Sequence, residues 1–231
     1  MDIMDVIIGV VGGIGPESTV EYYRLLIAGH RARHGDGSSP AIVINSLDAT
    51  RLLDLAANDL EGLTGYLAGA VERLARAGAT IGLLASNTPH IVFEAVQRRS
   101  PIPLVSIVEA AREAVQRRGF ARVGLFGTRF TMDGRFYPDV FARAGIDLIV
   151  PREDERTFVH DIYVNELLEN VFRSETRDRL VAIVDAMRVR DGVEAVILGG
   201  TELPLILREE TAAGVPLLDT TRIHVQRILA A

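Results

Sequence analysis

The sequence predicts an α/β protein with mostly parallel sheets, built as two similar halves. Three observations predict it. Short apolar, β-branched runs alternate with stretches of helical spacing along all 231 residues. Several of the runs end in turns of glycine or small polar residues. Two landmarks also recur at nearly one offset. Val10-Val11-Gly12-Gly13 aligns with Leu125-Phe126-Gly127-Thr128, a shift of 115 (Gly12 to Gly127). Leu84-Ala85-Ser86-Asn87-Thr88 aligns with Leu198-Gly199-Gly200-Thr201-Glu202, a shift of 114 (Ser86 to Gly200). Matching offsets point to an internal duplication.

In the first half, Val6 to Val11 reads as a buried strand. Ser18 to Ala28 reads as a helix with Val20, Tyr23, Leu26 and Ile27 on its apolar face. Ala41 to Asn45 is a second strand. Leu60 to Ala77 is a long helix with Leu63, Leu67, Ala70, Val71 and Leu74 on one side, stopped by Gly78. Thr80 to Ala85 is a third strand, Ile91 to Arg98 a short helix, and Val105 to Ile107 a fourth strand. The second half starts again with a strand at Val123 to Gly127 and a helix at Met132 to Ala144. A strand follows at Ile146 to Val150, then helices at Asn165 to Phe172 and Thr176 to Met187, and a strand at Val193 to Leu198.

Composition removes whole classes of chemistry. There is no cysteine, and all 25 basic residues are arginine. Disulfides, Cys-ligated zinc, iron–sulfur clusters and thiolate nucleophiles are therefore excluded. So are a Schiff-base lysine for pyridoxal phosphate and a P-loop lysine. A net charge of −6 speaks against a nucleic-acid surface. No apolar run approaches bilayer-spanning length. Met1 to Asp5 carries acid where a signal peptide needs a basic region, so a cytoplasmic protein is expected.

In parallel α/β sheets, ligands bind beyond the carboxyl ends of the strands. Five turns lie there: Gly12 to Ser18, Asn45 to Asp48, Ser86 to His90, Gly127-Thr128, and Gly199 to Glu202. Small residues admit close backbone approach, and amide groups at a helix start accept a carboxylate. The first turn is not the dinucleotide fingerprint, because Gly12, Gly13 and Gly15 do not fit G-x-G-x-x-G.

These residues resemble the aspartate/glutamate racemase family, and its aspartate-type branch above all. The resemblance rests on Val11-Gly12-Gly13-Ile14-Gly15-Pro16, the Asn-Thr turn and the Gly-x-Thr-Glu turn. Gly127-Thr128 with Thr131 and Tyr137, Ile162-Tyr163, Glu166-Leu167, and Leu218-Asp219-Thr220-Thr221 before His224 extend it over nearly the whole chain. It implies two pseudo-symmetric, Rossmann-like lobes facing each other across a cleft. The first lobe would hold residues 1–106 and 217–231, the second 107–216. It also implies no cofactor, a small amino-acid or carboxylate ligand, and a homodimer.

The resemblance further implies that two cysteines, one per half, exchange the α-proton of the substrate. Here those positions hold Ser86 and Gly200. A thiol is readily tuned to a thiolate near neutral pH, whereas a serine hydroxyl falls short by roughly 5–7 pK units, or about 7–10 kcal/mol. Two-thiol racemisation is therefore expected to be absent.

Each remaining candidate has a functional and a structural reading. Ser86 is either a catalytic hydroxyl or a ligand-binding one. His224, with Asp219 before it, and His90 are candidate bases for Ser86 or ordinary core histidines. Asn87, Thr88, Thr131 and Thr201 match positions that hold the substrate carboxylate, and the same atoms cap helices. Glu202 matches the family's acid after the second cysteine, or is a first-turn glutamate. Gly12 admits a ligand or a tight turn. Asp48 could meet a substrate amine, and Arg51 a distal carboxylate through bidentate pairing. His30 and His34 have metal-ligand spacing but no third ligand, so no metal is expected. The tracts Arg117-Arg118 and Arg152 to Arg156 read as solvated helix ends and loops.

Four readings of function stay open. The first is a diverged family enzyme of isomerase, lyase or decarboxylase type, using Ser86, Thr201 or His224. The others are a ligand-binding pseudoenzyme, a Ser–His hydrolase, and a cysteine-substituted form of an active racemase.

Overall fold

Parallel pairing of the apolar runs organises the chain. The computed structural model describes residues 6–231. The acidic start, Met1 to Asp5, lies outside them. The chain divides into two units, one made of residues up to Ile107 together with His224–Ala231, the other of Val108–Ile223.

In the first unit, β1 (Ile7–Gly12), β2 (Ala41–Ser46), β3 (Ile81–Leu84) and β4 (Leu104–Val105) form a parallel sheet in the order β2-β1-β3-β4. Side chains alternate across it. On one face Ile8, Val10, Leu83 and Ala85 pack with Tyr22 and Leu26 of the helix Pro16–His34, and with Val225 and Ile228. On the other, Gly9 lies against Leu74 and Ala79, so the helix Leu60–Arg76 can approach β1 closely. Its buried residues include Leu63, Leu67, Ala70, Val71 and Leu74, as the helical spacing predicts. Burying one such leucine contributes about 1.5–3 kcal/mol.

The second unit repeats the plan. Its strands are β5 (Arg122–Phe126), β6 (Asp147–Ile149), β7 (Ala195–Leu198), β8 (Thr211–Ala212) and β9 (Val215–Asp219). Their order is β6-β5-β7-β9-β8, parallel except for the short β8–β9 pair. The first four places repeat the order of the first sheet. The hydrogen-bond register repeats as well: Val11 pairs with Leu84, and Phe126 with Leu198. These partners are shifted by the 115 and 114 residues found in the sequence.

Several elements differ from the sequence expectation. The Pro16–His34 helix buries Ser18, Thr19, Tyr22 and Leu26, while Val20 and Tyr23 are exposed. Small and polar residues face the sheet because β1 ends in a turn that Thr19 must approach. The predicted helix Asn165 to Phe172 is a single 3-10 turn, Leu167–Glu169, closed by Asn170 in the left-handed region. The helix of that region is Glu153–Asn165, and the tract Arg152 to Arg156, read as a solvated helix end or loop, forms its N-cap and first turn. Glu153, Asp154 and Glu155 suit the positive end of its dipole, and Glu155 Oε2 accepts the Arg152 amide at 2.8 Å.

The predicted helix Met132 to Ala144 is two short ones, Arg129–Met132 and Phe136–Ala142. Gly134 lies between them, with Phe130 O and the Phe136 ring pressed against it. Ile107 opens a helix, Ile107–Arg117, rather than ending β4. The helix Ala49–Asn58, capped by Asp48 and burying Leu52 and Ala56, and strand β9 lie outside the predicted elements. In β9, Pro216 argues against a strand, yet it sits opposite Thr211 of the edge strand β8, where its missing N–H is tolerated. Pairing of Leu217–Asp219 with Val196–Leu198 places these residues in the second unit. The change of unit thus falls at His224, not at residue 217.

Candidate functional site

At the carboxyl end of the first sheet, the chain turns at Gly12-Gly13. The amide of Gly13 donates to Thr19 Oγ1 at 2.8 Å, and Leu47 N–H donates to Gly12 O at 2.9 Å. A Cβ on Gly12 would stand 2.5 Å from Thr19 Cγ2. The close approach that Gly12 permits is therefore made by the protein's own helix. After β3, Ser86, Asn87 and Thr88 are all buried, and Thr88 opens a 3-10 turn, Thr88–Val92.

The two buried histidines of this unit are committed elsewhere. His90 Nδ1–H donates to the Ser86 carbonyl at 3.0 Å, and His90 Nε2 accepts the Ile107 amide at 3.2 Å. His224 Nε2–H donates to Val105 O, and its Nδ1 accepts from Tyr22 Oη, both at 2.8 Å. These partners fix both tautomers. Burial pulls His90 down to about 3, helped by the nearby His224, and pulls His224 down to about 4. Neither ring bonds to Ser86 Oγ. Asp219 is used locally, accepting the amides of Thr221 and Arg222.

Asp48 and Arg51 lie at the end of the edge strand β2, both exposed. Asp48 Oδ1 accepts the Arg51 amide at 3.2 Å and caps the helix Ala49–Asn58. The Arg51 guanidinium lies over the Tyr66 ring at 4.7 Å. His30 and His34 stack at 4.0 Å on the exposed end of their helix. Among the described residues, no group of three or more His, Cys, Asp or Glu is placed to hold a metal ion.

At the carboxyl end of the second sheet, Thr131 packs its methyl side against Gly127 and Gly199. A Cβ on either glycine would come within 3.0 Å of it. Thr131 is the counterpart of Thr19. The hydroxyls of Thr128, Thr131 and Thr221 are buried without a hydrogen-bond partner. Thr220 Oγ1 donates to Leu198 O at 2.7 Å and ties β9's end to β7's.

A side chain at Gly200 would require the Tyr163 ring to move. A Cβ there would lie 2.3 Å from Tyr163 Cε2 and 2.9 Å from both Cζ and Oη. The Tyr163 hydroxyl donates to Glu202 Oε2, and Thr201 Oγ1 donates to the same oxygen at 2.9 Å. All three residues are buried. Desolvation first, and then the charge of Glu202, hold the Tyr163 phenol well above its ordinary range. Tyr163 and Thr221 were not singled out as site residues in the sequence. The glycine at position 200 was the available signal, since a glycine among buried residues marks a close approach.

A cavity of about 340 Å³ elsewhere in this unit is lined by Phe172, Arg173, Arg177, Leu205 and Arg208, among others. Its guanidiniums of Arg173 and Arg177 are already paired with Glu166 and Glu209.

Two sheets that share one strand order over four places, each with small-residue turns at its strand ends, define a duplicated α/β protein. Residues 11–228 match the Asp/Glu/Hydantoin racemase family, and the chain belongs to it. A protein from Yersinia pestis described as a candidate Asp/Glu racemase is 31% identical. It covers 96% of each chain, with a TM-score of 0.88. An aspartate racemase homologue from Pyrococcus horikoshii is 33% identical over 96% of this chain and 97% of that one, with a TM-score of 0.84. The broad specificity amino-acid racemase RacX of Bacillus subtilis is 22% identical, covering 93% of this chain and 92% of that one. Against the glutamate racemase of Actinobacillus pleuropneumoniae the chain matches over only 47% of that protein's length. Among the described residues, no helix is long and apolar enough to cross a membrane.

Proposed function

We propose that the protein acts without a cofactor on a small acidic amino acid or a related carboxylate, by chemistry other than two-thiol racemisation. An isomerase, lyase or decarboxylase step is the class in view. The observation that carries the ligand class is the set of buried, unpartnered hydroxyls of Thr128, Thr131 and Thr221. A buried hydroxyl without a partner costs about 1–3 kcal/mol, which a carboxylate oxygen would recover. The departure from racemisation is supported by the cysteine-free sequence, with Ser86 and Gly200 where the resemblance calls for thiols. In the second unit Thr201 joins these threonine hydroxyls as a ligand-binding group; in the first unit Ser86 serves as a small binding hydroxyl, with Asn87 and Thr88. Arg51, beyond an edge strand, is the group for a distal carboxylate. His90 and His224 hold the fold.

Incubation of aspartate, glutamate and related dicarboxylates in D₂O, followed by mass spectrometry, tests the reading. Deuterium at the α-carbon, or loss of CO₂ or ammonia, is the expected result. Saturable binding with none of these would establish instead a ligand-binding protein without turnover, the second reading favoured by a glycine at position 200. A Ser–His hydrolase finds no support in the geometry, since no imidazole meets Ser86 Oγ.

A cysteine-substituted form of an active racemase would regain activity in the double variant Ser86→Cys, Gly200→Cys. The Tyr163 ring at position 200 makes the expected result no racemisation, checked by chiral chromatography. A cytoplasmic homodimer is the form proposed, and light scattering is expected to give twice the mass of one chain.

A further inference from the structure

We infer that Tyr163 and Glu202 together form an acid/base group of the second unit, the phenol standing where a side chain at position 200 would stand. The inference rests on the proposed function above and says which residues move the proton. Three observations converge on it. The ring fills the space into which any Cβ on Gly200 would project, so its hydroxyl lies 2.9 Å from that point. The hydroxyl is not idle, because it donates to Glu202 Oε2, which Thr201 Oγ1 also holds. The pair is buried beside the Gly199-Gly200 turn at the strand end, the part of a parallel sheet where ligands are met.

The arrangement suits a relay. The α-hydrogen of the substrate leaves as a proton to Tyr163 Oη while the phenol's own proton passes to Glu202 Oε2. One C–H and one O–H bond break, and two O–H bonds form. The electron pair of the C–H bond stays on the substrate as the enolate of its carboxylate, and one negative charge moves from Glu202 to the substrate. The phenol is neutral before and after, as its buried place beside a carboxylate requires. The reverse transfer returns a proton, and no oxidant or cofactor enters.

One group working from one side returns the proton to the face it left. Two opposed thiols invert the centre; a lone relay does not. The protein is therefore expected to exchange the α-hydrogen of one enantiomer of aspartate or glutamate with retention of configuration.

The test follows deuterium uptake and enantiomeric composition together in D₂O, for the unaltered protein, Tyr163→Phe and Glu202→Gln. Circular dichroism and calorimetric ligand binding are recorded on each. Expected are exchange without racemisation in the unaltered protein and a loss of exchange of 100-fold or more in both variants, with binding changed only a few-fold. Glu202→Gln keeps a polar partner for the phenol and serves should Tyr163→Phe fail to fold. Exchange that survives in either folded variant, or that racemises the substrate, overturns the relay while leaving the proposed function standing. Binding of aspartate or glutamate with no exchange by the unaltered protein overturns the relay and, unless another product appears, the proposed turnover with it.

Discussion

Between pH 7.5 and pH 5 the protein is expected to lose roughly 4 kcal/mol of stability through two histidines alone. His90 and His224 are both buried and neutral, with values near 3 and near 4 in the folded state against 6.5 when exposed. Below pH 6.5 the unfolded chain binds protons that the folded chain refuses. The stability these groups contribute is thus fully present above about pH 6.5 and falls away as the pH drops toward 4 and 3. At pH 5 each group has cost about 2 kcal/mol, from 1.5 pH units at 1.36 kcal/mol per unit. The carboxylate of Glu153 is shifted downward by Arg156 and Arg129, and that of Glu209 first by its own backbone amide and then by Arg177; both act at lower pH, so the two effects separate. Urea unfolding at pH 7.5, 6 and 5 measures the loss. A midpoint that does not move between pH 7.5 and 5 would show that these rings are not held neutral.

Gly13→Ala is expected to cost at least about 4 kcal/mol, enough to deplete the folded state of a marginally stable protein. Its φ of 85° is unfavourable for any residue with a Cβ. In addition, the new Cβ would lie 2.3 Å from Leu47 O and 2.5 Å from Leu47 N. Those are backbone atoms, fixed because Leu47 N–H bonds to Gly12 O. Gly119→Ala isolates the first contribution. Gly119 has φ 73° with nothing within 4 Å of a Cβ, so about 1 kcal/mol is expected there. Chemical denaturation of both variants decides the matter. Equal costs at the two positions would mean that the approach of Leu47 contributes nothing.

Both effects mark how far the sequence could be followed. The apolar runs, their alternation with helices, and the 115- and 114-residue offsets were legible because strand burial and duplication leave periodic traces. Strand β9 left none, since Pro216 hides it and only its neighbours β7 and β8 make it a strand. The helix Glu153–Asn165 was obscured by the charges of its first turn, which favour a helix start as well as a solvated loop.

By itself the sequence determined the α/β class, the duplication, the family resemblance and the absence of any thiol or lysine. Those follow from residue identity and spacing, which need no coordinates. Only the tertiary structure decided where polar atoms find partners. His224 was a candidate base in the sequence, and in the fold Tyr22 and Val105 take both its nitrogens. Gly200 was a missing side chain in the sequence, and in the fold it is the place of Tyr163, which lies 37 residues earlier in the chain. A hydrogen bond or a steric conflict between distant residues depends on packing, and packing is not written in local spacing.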